Sequence, residues 1–389
     1  MRLWHRKAPQ KSRPARPRMT VIATAVGLAL AAGISSAAAA GTAEATISSC
    51  RAVQVPVNIP GVSTPGQITG DYCVPRVSNG YVLLMVAGGA ENAAYWNMPG
   101  LSNYSLTEAA AREGYATFAI DRLGTGRSTI PSSSTLVTYA AQVSTVNQVD
   151  TALRRDPALF GHEWDRIIGM GHSLGSGTIV GVAAAYPADF NALVITGYGP
   201  EVSPETAQLN ALYQVPASTV TSVCVQPSPC TGVGYLTVLP SGIADSGLFY
   251  DPGTSPAALA AAAQYEGLLS KTELLTRPQG AAAEAQGALI KVPVLVVDGQ
   301  YDRHYCEDNP INEPPSIGAN CATQQAFNAY ETPLFPNACL ATSTIAQSGH
   351  AIQEEKAAPW ANRLYLNWLH ATLLGRTHCA TTGVYANFR

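Results

Sequence analysis

Ile168-Gly-Met-Gly-His-Ser-Leu-Gly175 ends an apolar run in the pattern G-x-S-x-G, with Gly171 and Gly175 on either side of Ser173. Serine between glycines is common in plain turns, so the flanking sequence decides the reading. Trp164 to Met170 read as a short buried strand. Ser176 to Tyr186 are small and apolar without proline, as in a helix packed beneath a sheet. A sharp strand–turn–helix step exposes the serine hydroxyl, and glycines on both sides let neighbouring chain pass without Cβ clashes.

The same alternation extends outward from this step. Val53–Ile59 and Gln67–Arg76 read as edge strands, and Tyr81-Val-Leu-Leu-Met-Val-Ala87 is a continuous apolar run of the kind covered on both faces. Strands follow at Tyr115–Ile120, Arg166–Met170, Ala192–Thr196, Val292–Val297 and Cys339–Ile345. Helical patterns at Ser105–Glu113 and Val143–Arg155 separate the first of them, and a helix at Lys356–Leu374 follows the last. Alternating strand and helix predict an α/β fold with a mostly parallel sheet flanked by helices.

Between Gly197 and Lys291 the alternation stops, giving way to sequence rich in Pro, Gly, Ser and Ala, with short helical stretches near Pro256–Ser270. Active sites in such sheets lie beyond the carboxyl ends of the strands, so an insertion leaving there covers the site. The expected organisation is a core of residues 41–198 and 292–389, with a cap at 199–291. The alanine tracts Ala257–Ala263 and Ala281–Ala285 are helix formers.

A serine hydroxyl is a poor nucleophile unless a base takes its proton and a third group orients the base. The run Val292–Val297 leads into Asp298-Gly-Gln-Tyr-Asp302, which puts a carboxylate just past a strand; Asp302 is the expected acid. Asp298 competes, but an aspartate before a turn glycine more often caps the turn. Gly349-His350 follows the last apolar strand, making His350 the expected base. His304 is a rival, although two residues of one short loop seldom face each other as orienter and base. His162, His304, His370 and His378 read as surface or core histidines, and His172 is set by the turn beside Ser173. The developing oxyanion needs fixed donors, expected from the N–H of Leu174 and that of Gly89 or Ala90 in Val86-Ala-Gly-Gly-Ala90. This chemistry calls for no cofactor and no metal.

The chain of 389 residues, 47% hydrophobic, is long enough for a large core. A charged fraction of 13% and a net charge of -3 disfavour nucleic acid. Seven of the 23 Lys and Arg residues fall within residues 1–18, before the first acidic residue, Glu44; without them the chain carries 16 basic against 26 acidic residues. Met19–Ala40 is uncharged and alanine-rich, and ends in Ala38-Ala-Ala-Gly41. Residues 1–40 therefore read as an export signal, which predicts a secreted protein with no stable membrane anchor after cleavage. An uncleaved anchor is the competing reading. Ile47-Ser-Ser-Cys50 loosely resembles a lipoprotein cleavage site, but polar residues and Glu44 separate it from the apolar run. All eight cysteines lie beyond the proposed cleavage point, none in a zinc-like C-x-x-C pair, and an even count in an exported chain predicts disulfides. Sequence neighbours suggest Cys50–Cys73, Cys224–Cys230, Cys306–Cys321 and Cys339–Cys379, among many possible pairings.

Together these residues resemble the α/β-hydrolase fold over roughly residues 70–375. The order elbow serine, acid, histidine matches, and Asp121-Arg-Leu-Gly-Thr-Gly-Arg-Ser128 is similar to the family's D-x-x-G-x-G-x-S loop, in which Asp121 and Arg127 would fix loop geometry. Ala87-Gly88 stands where many relatives have His-Gly, and neither a triple glycine nor a G-G-P-G run appears, which weakens lipase and aminopeptidase assignments. A serine at the elbow argues against epoxide hydrolases and haloalkane dehalogenases. The resemblance implies hydrolysis of a small, apolar carboxylic ester or lactone through an acyl-enzyme at Ser173. A peptidase or amidase is the alternative, which would need an acidic anchor for a substrate amine, Glu201 being the candidate. A binding protein that keeps the fold without turnover is a third reading.

Overall fold

The computed structural model describes residues 47–220, 232–306, 319–374 and 383–385. In chain order the strands are β1 (Ile47–Val57), β2 (Gly66–Pro75), β3 (Val82–Val86), β4 (Ala116–Ile120), β5 (Ile167–His172), β6 (Ala192–Thr196), β7 (Gln214–Pro216), β8 (Tyr235–Val238), β9 (Leu269–Ser270), β10 (Val294–Gly299), β11 (Leu340–Ile345) and β12 (Gly383–Val384). Nine of them form one sheet in the order β1-β2-β4-β3-β5-β6-β10-β11-β12. The β1/β2 and β2/β4 pairs are antiparallel and the others parallel. β4 lies on one side of β3 and β5 on the other, so the chain reverses its direction of winding there. The loops after β3 and β5 consequently diverge and leave a crevice at their carboxyl ends.

The apolar run at 81–87 is buried on both faces, as its composition requires. Val82, Leu84 and Val86 point into one core with Val146 and Val149 of α2 (Tyr139–Arg155, preceding the short α3, Pro157–Phe160) and Ile179 of α4 (Leu174–Ala185). Leu83 and Met85 point into the other, with Leu106 of α1 (Leu106–Arg112) and Leu364 and Trp368 of α10 (Ala358–Leu369). α4 is buried along its length from Leu174 to Ala183, consistent with its small apolar residues on every side.

α2 starts four residues before the expected Val143 because Thr138 caps it, its hydroxyl accepting from the N–H of Ala141 at 3.1 Å. α4 begins immediately after Ser173, two residues earlier than expected. α10 continues as a single π-turn at His370–Leu374.

The excursion between β6 and β10 carries α5 (Pro204–Tyr213), α6 (Pro256–Tyr265), α7 (Lys271–Thr276) and α8 (Ala281–Gly287). The alanine tracts are helical within α6 and α8. The excursion also holds a three-stranded antiparallel sheet, β7-β8-β9, where the composition suggested only short helices. Its strands are two to four residues long, too short for a period-two pattern to stand out. α9 (Gln324–Glu331) packs against β11.

Cys50 faces Cys73 across β1 and β2 and is disulfide-bonded to it, and Cys306 is bonded to Cys321. Cys339 is disulfide-bonded as well. Cys224, Cys230, Cys379 and the proposed export signal at 1–40 lie outside the described residues. Among the described residues, no helix is long and apolar enough to cross a membrane.

Candidate active site

β5 delivers Ser173 at its carboxyl end in a sharply turned backbone, φ 51° and ψ −120°. A non-glycine residue held there costs ~1–3 kcal/mol, so the surroundings must impose it. They do so through β6. The Ser173 N–H donates to the Thr196 carbonyl at 2.9 Å, and the Ser176 hydroxyl donates to the same carbonyl at 2.8 Å. Both motif glycines are sterically required. A Cβ on Gly175 would lie 2.1 Å from the Val86 carbonyl oxygen, and one on Gly171 would lie 2.4 Å from the Ser176 Cα.

Ser173 lines a cavity together with Leu174, Gly89, Glu91, His304 and His350. The backbone N–H groups of Gly89 and Leu174 donate to no other group among the described residues. Ala90, with φ 60°, is buried and lines a smaller adjoining cavity instead.

His350 follows β11, and its Nδ1 lies 2.6 Å from Asp302 Oδ2, both side chains being buried. The other Asp302 oxygen accepts from the N–H groups of His304 (2.6 Å) and Tyr305 (3.2 Å). Burial opposes charge on both partners, but each counters it for the other. The His350 pKa is raised, and that of Asp302 is held well below the usual carboxylate range. The His350 loop is tied down by Glu355, which accepts from the Ser348 hydroxyl (2.5 Å), the Gly349 N–H (2.7 Å) and the Tyr250 N–H (2.6 Å). Among the described residues the Ser173 hydroxyl makes no hydrogen bond to His350; the two share the cavity wall. Bonds of this kind are often long without substrate and tighten when it binds.

Asp298 is placed in the last turn of β10, where its Oδ1 accepts from the Gly299 N–H at 2.8 Å. Burial and the Asp302 charge push its pKa well up, so it keeps its proton. His304, expected to be an uninvolved surface or core residue, belongs to the cavity. Its ring centre is 4.8 Å from that of His350, and burial pushes its pKa down to about 3, so it is neutral. His378 lies outside the described residues.

Two further residues stand at positions that no motif specifies. Glu91 lines the cavity with Oε2 accepting from the Gly88 N–H at 2.7 Å, and burial pushes its pKa up to about 7. Arg122 forms a buried ion pair with Glu273 of α7 and donates to the Gly88 carbonyl at 2.8 Å. Asp121 accepts from the N–H groups of Ala93 (2.8 Å) and Arg127 (2.9 Å) and from Arg127 Nε (2.8 Å), tying together the loops after β3 and β4. Glu201 does not line the cavity.

Among solved structures, a thermophilic esterase from Thermogutta terrifontis matches with a TM-score of 0.53 and 15% identity, over 82% of this chain and 99% of that one. The carboxylesterase CesB of Bacillus subtilis matches with a TM-score of 0.53 and 16% identity, over 82% and 92%. At these identities the likeness is one of fold. A search of curated proteins gives no match. Residues 83–363, most of the chain, match the family model described as "Alpha/beta hydrolase family", and the chain belongs to that family.

Proposed function

We propose that this protein is a secreted serine hydrolase that cleaves carboxylic esters through an acyl-enzyme on Ser173. The observation that carries the reading is a strained serine sharing one cavity with a histidine whose far nitrogen is bonded to a buried carboxylate. In this reading Ser173 Oγ attacks the ester carbonyl carbon while His350 Nε2 takes its proton. The oxyanion is held by the N–H of Leu174 and that of Gly89 or Ala90, Gly89 being favoured because it lines the cavity. His350 then returns the proton to the departing alcohol. Water attacks the acyl-enzyme with His350 again as base, releasing the acid and restoring the hydroxyl.

The segment 199–291 acts as the cap. Leu209, Val238, Leu248, Leu269 and Leu274 from it give the cavity an apolar wall suited to the hydrocarbon part of an ester. An even number of cysteines, with two pairs bonded as described above, supports export by the leader at 1–40.

Amide hydrolysis is the second reading, because Glu91 is a carboxyl within the same cavity. It ranks lower. Glu91 is half protonated near pH 7, and one of its oxygens is engaged by Gly88, which leaves a weak anchor for an ammonium group.

Labelling by a fluorophosphonate, together with hydrolysis of p-nitrophenyl esters, tests the proposal. Both should be present in the native protein and absent in Ser173→Ala. A folded native protein that neither labels nor turns over would leave a binding protein as the reading.

A further inference from the structure

Arg277 caps the C-terminus of α7 and lines the same cavity as Ser173 and His350. Among the described residues, the other arginines at least partly withdrawn from solvent each hold a carboxylate: Arg122 with Glu273, Arg154 with Asp150, Arg303 with Glu205. Arg277 holds none, and its Nε is buried without a partner. Withdrawing a guanidinium even partly from water without a counter-charge is unfavourable, so such a group marks a place completed by something else.

The surroundings show what could complete it. Tyr305 meets the Arg277 guanidinium with its hydroxyl and stacks its ring on His350, with centroids 5.6 Å apart. The cation is thus linked to the base through a single side chain. The neighbouring Glu331, buried with both oxygens unpartnered, is pushed up to about pKa 8 by burial and stays mostly protonated. His304 is neutral, and the remaining acid of the cavity, Glu91, lies beside Gly88 at the oxyanion loop. Arg277 is therefore the one fixed charge on the cavity wall among the described residues.

We propose that Arg277 is a specificity residue that receives a carboxylate of the substrate, so that the preferred ester carries an anionic group on its acyl or alcohol part. The inference rests on the hydrolase reading above. A guanidinium offers paired N–H donors that match a planar carboxylate. The leucines and valines of the wall would hold the hydrocarbon between the anion and the scissile bond.

The test compares p-nitrophenyl hemiglutarate (carboxylate on the acyl side) and 4-carboxyphenyl butyrate (on the alcohol side) with p-nitrophenyl valerate and phenyl butyrate. The native protein should favour one acid ester over its neutral counterpart in kcat/KM. Arg277→Met should cut that preference about 10- to 100-fold, mainly through KM, and Arg277→Lys should restore part of it. Glutarate should slow fluorophosphonate labelling of the native protein and of Arg277→Lys more than that of Arg277→Met. Thermal melts confirm that the variants are folded. Labelling and neutral-ester turnover with no acid preference, or an unchanged preference in Arg277→Met, would overturn the inference and leave the hydrolase reading standing. Loss of all labelling and turnover would overturn the hydrolase reading instead. In that case glutarate binding by calorimetry, present in the native protein and lost in Arg277→Met, would uphold the anion site, and its absence would remove it.

Discussion

Glu91 Oε1 stands 3.5 Å from Nε2 of His172, a ring that is wholly buried. The hydrogen-bond pattern fixes which atom holds the proton. The Thr196 hydroxyl donates to the Gly171 carbonyl at 2.9 Å, so toward His172 Nδ1, 3.2 Å away, it can only accept. Nδ1 therefore carries the hydrogen, Nε2 presents a lone pair, and burial keeps the ring neutral. A lone pair facing a carboxyl oxygen favours the protonated acid, in the same direction as burial.

The folded-state pKa of Glu91, about 7, lies above its ordinary 4.5. The folded protein thus binds more protons than the unfolded chain between these values, and stability falls as pH rises through that window. Glu91→Gln abolishes this loss. The variant should melt like the native protein near pH 4.5 and be more stable by ~2–3 kcal/mol at pH 8, read by denaturant unfolding at both values. An equal effect at both would contradict the assignment.

Glu331, with a folded pKa of about 8, extends the decline to higher pH. Glu331→Gln should leave stability at pH 5 unchanged and raise it by ~3 kcal/mol at pH 8.5. Paired melts of the native protein and the variant over this range check the sign.

If His350 is the base, it must be neutral to act, and its pKa is raised above the ordinary 6.5 by Asp302. The acid limb of kcat/KM should therefore fall above pH 6.5. Asp302→Asn should move that limb downward and lower kcat by about 10³–10⁴. A limb that stays put in the variant would separate Asp302 from the base.

Breaking the Arg122–Glu273 pair by Arg122→Met leaves a buried carboxylate without its counter-charge, with Gln142 Nε2 still donating to it, and should cost ~3–5 kcal/mol. Adding Glu273→Met should recover much of that loss, so the double variant unfolds at higher denaturant than Arg122→Met alone. Simple additivity of the two single changes would mean the pair is not coupled.

Gly175→Ala puts a methyl group 2.1 Å from the Val86 carbonyl oxygen, where backbone must move. A loss of ~3–5 kcal/mol or failure to fold is expected, against ~1–2 kcal/mol for Gly100→Ala, where nothing lies within 4 Å and the strain comes from the positive φ of +82° alone. Soluble yield and melting temperature report the difference.

The central strands could be read because each is a local run of apolar residues, and β3 needs no information beyond its own composition. Ser173 could be read because the two glycines that make room for the turn stand within five residues of sequence, although the chain that crowds Gly175 is β3. Asp302 and His350 each follow a strand, so chain order carried them as candidates. What could not be read is held by partners far apart in sequence. Arg122 and Glu273 are 151 residues apart, and nothing near either identifies the other. Glu91 and His304 look like ordinary loop residues until the fold turns them toward Ser173. The small sheet β7-β8-β9 is assembled from strands too short to carry a pattern.

The guanidinium of Arg122 grips α7 with one arm and the Gly88 carbonyl with the other. An outward swing of that helix to admit a guest would therefore tug on the loop proposed to receive the negative oxygen. Admission and readiness for attack would then be mechanically linked, and a chamber propped open at α7 would also be one whose receiving loop is out of tune.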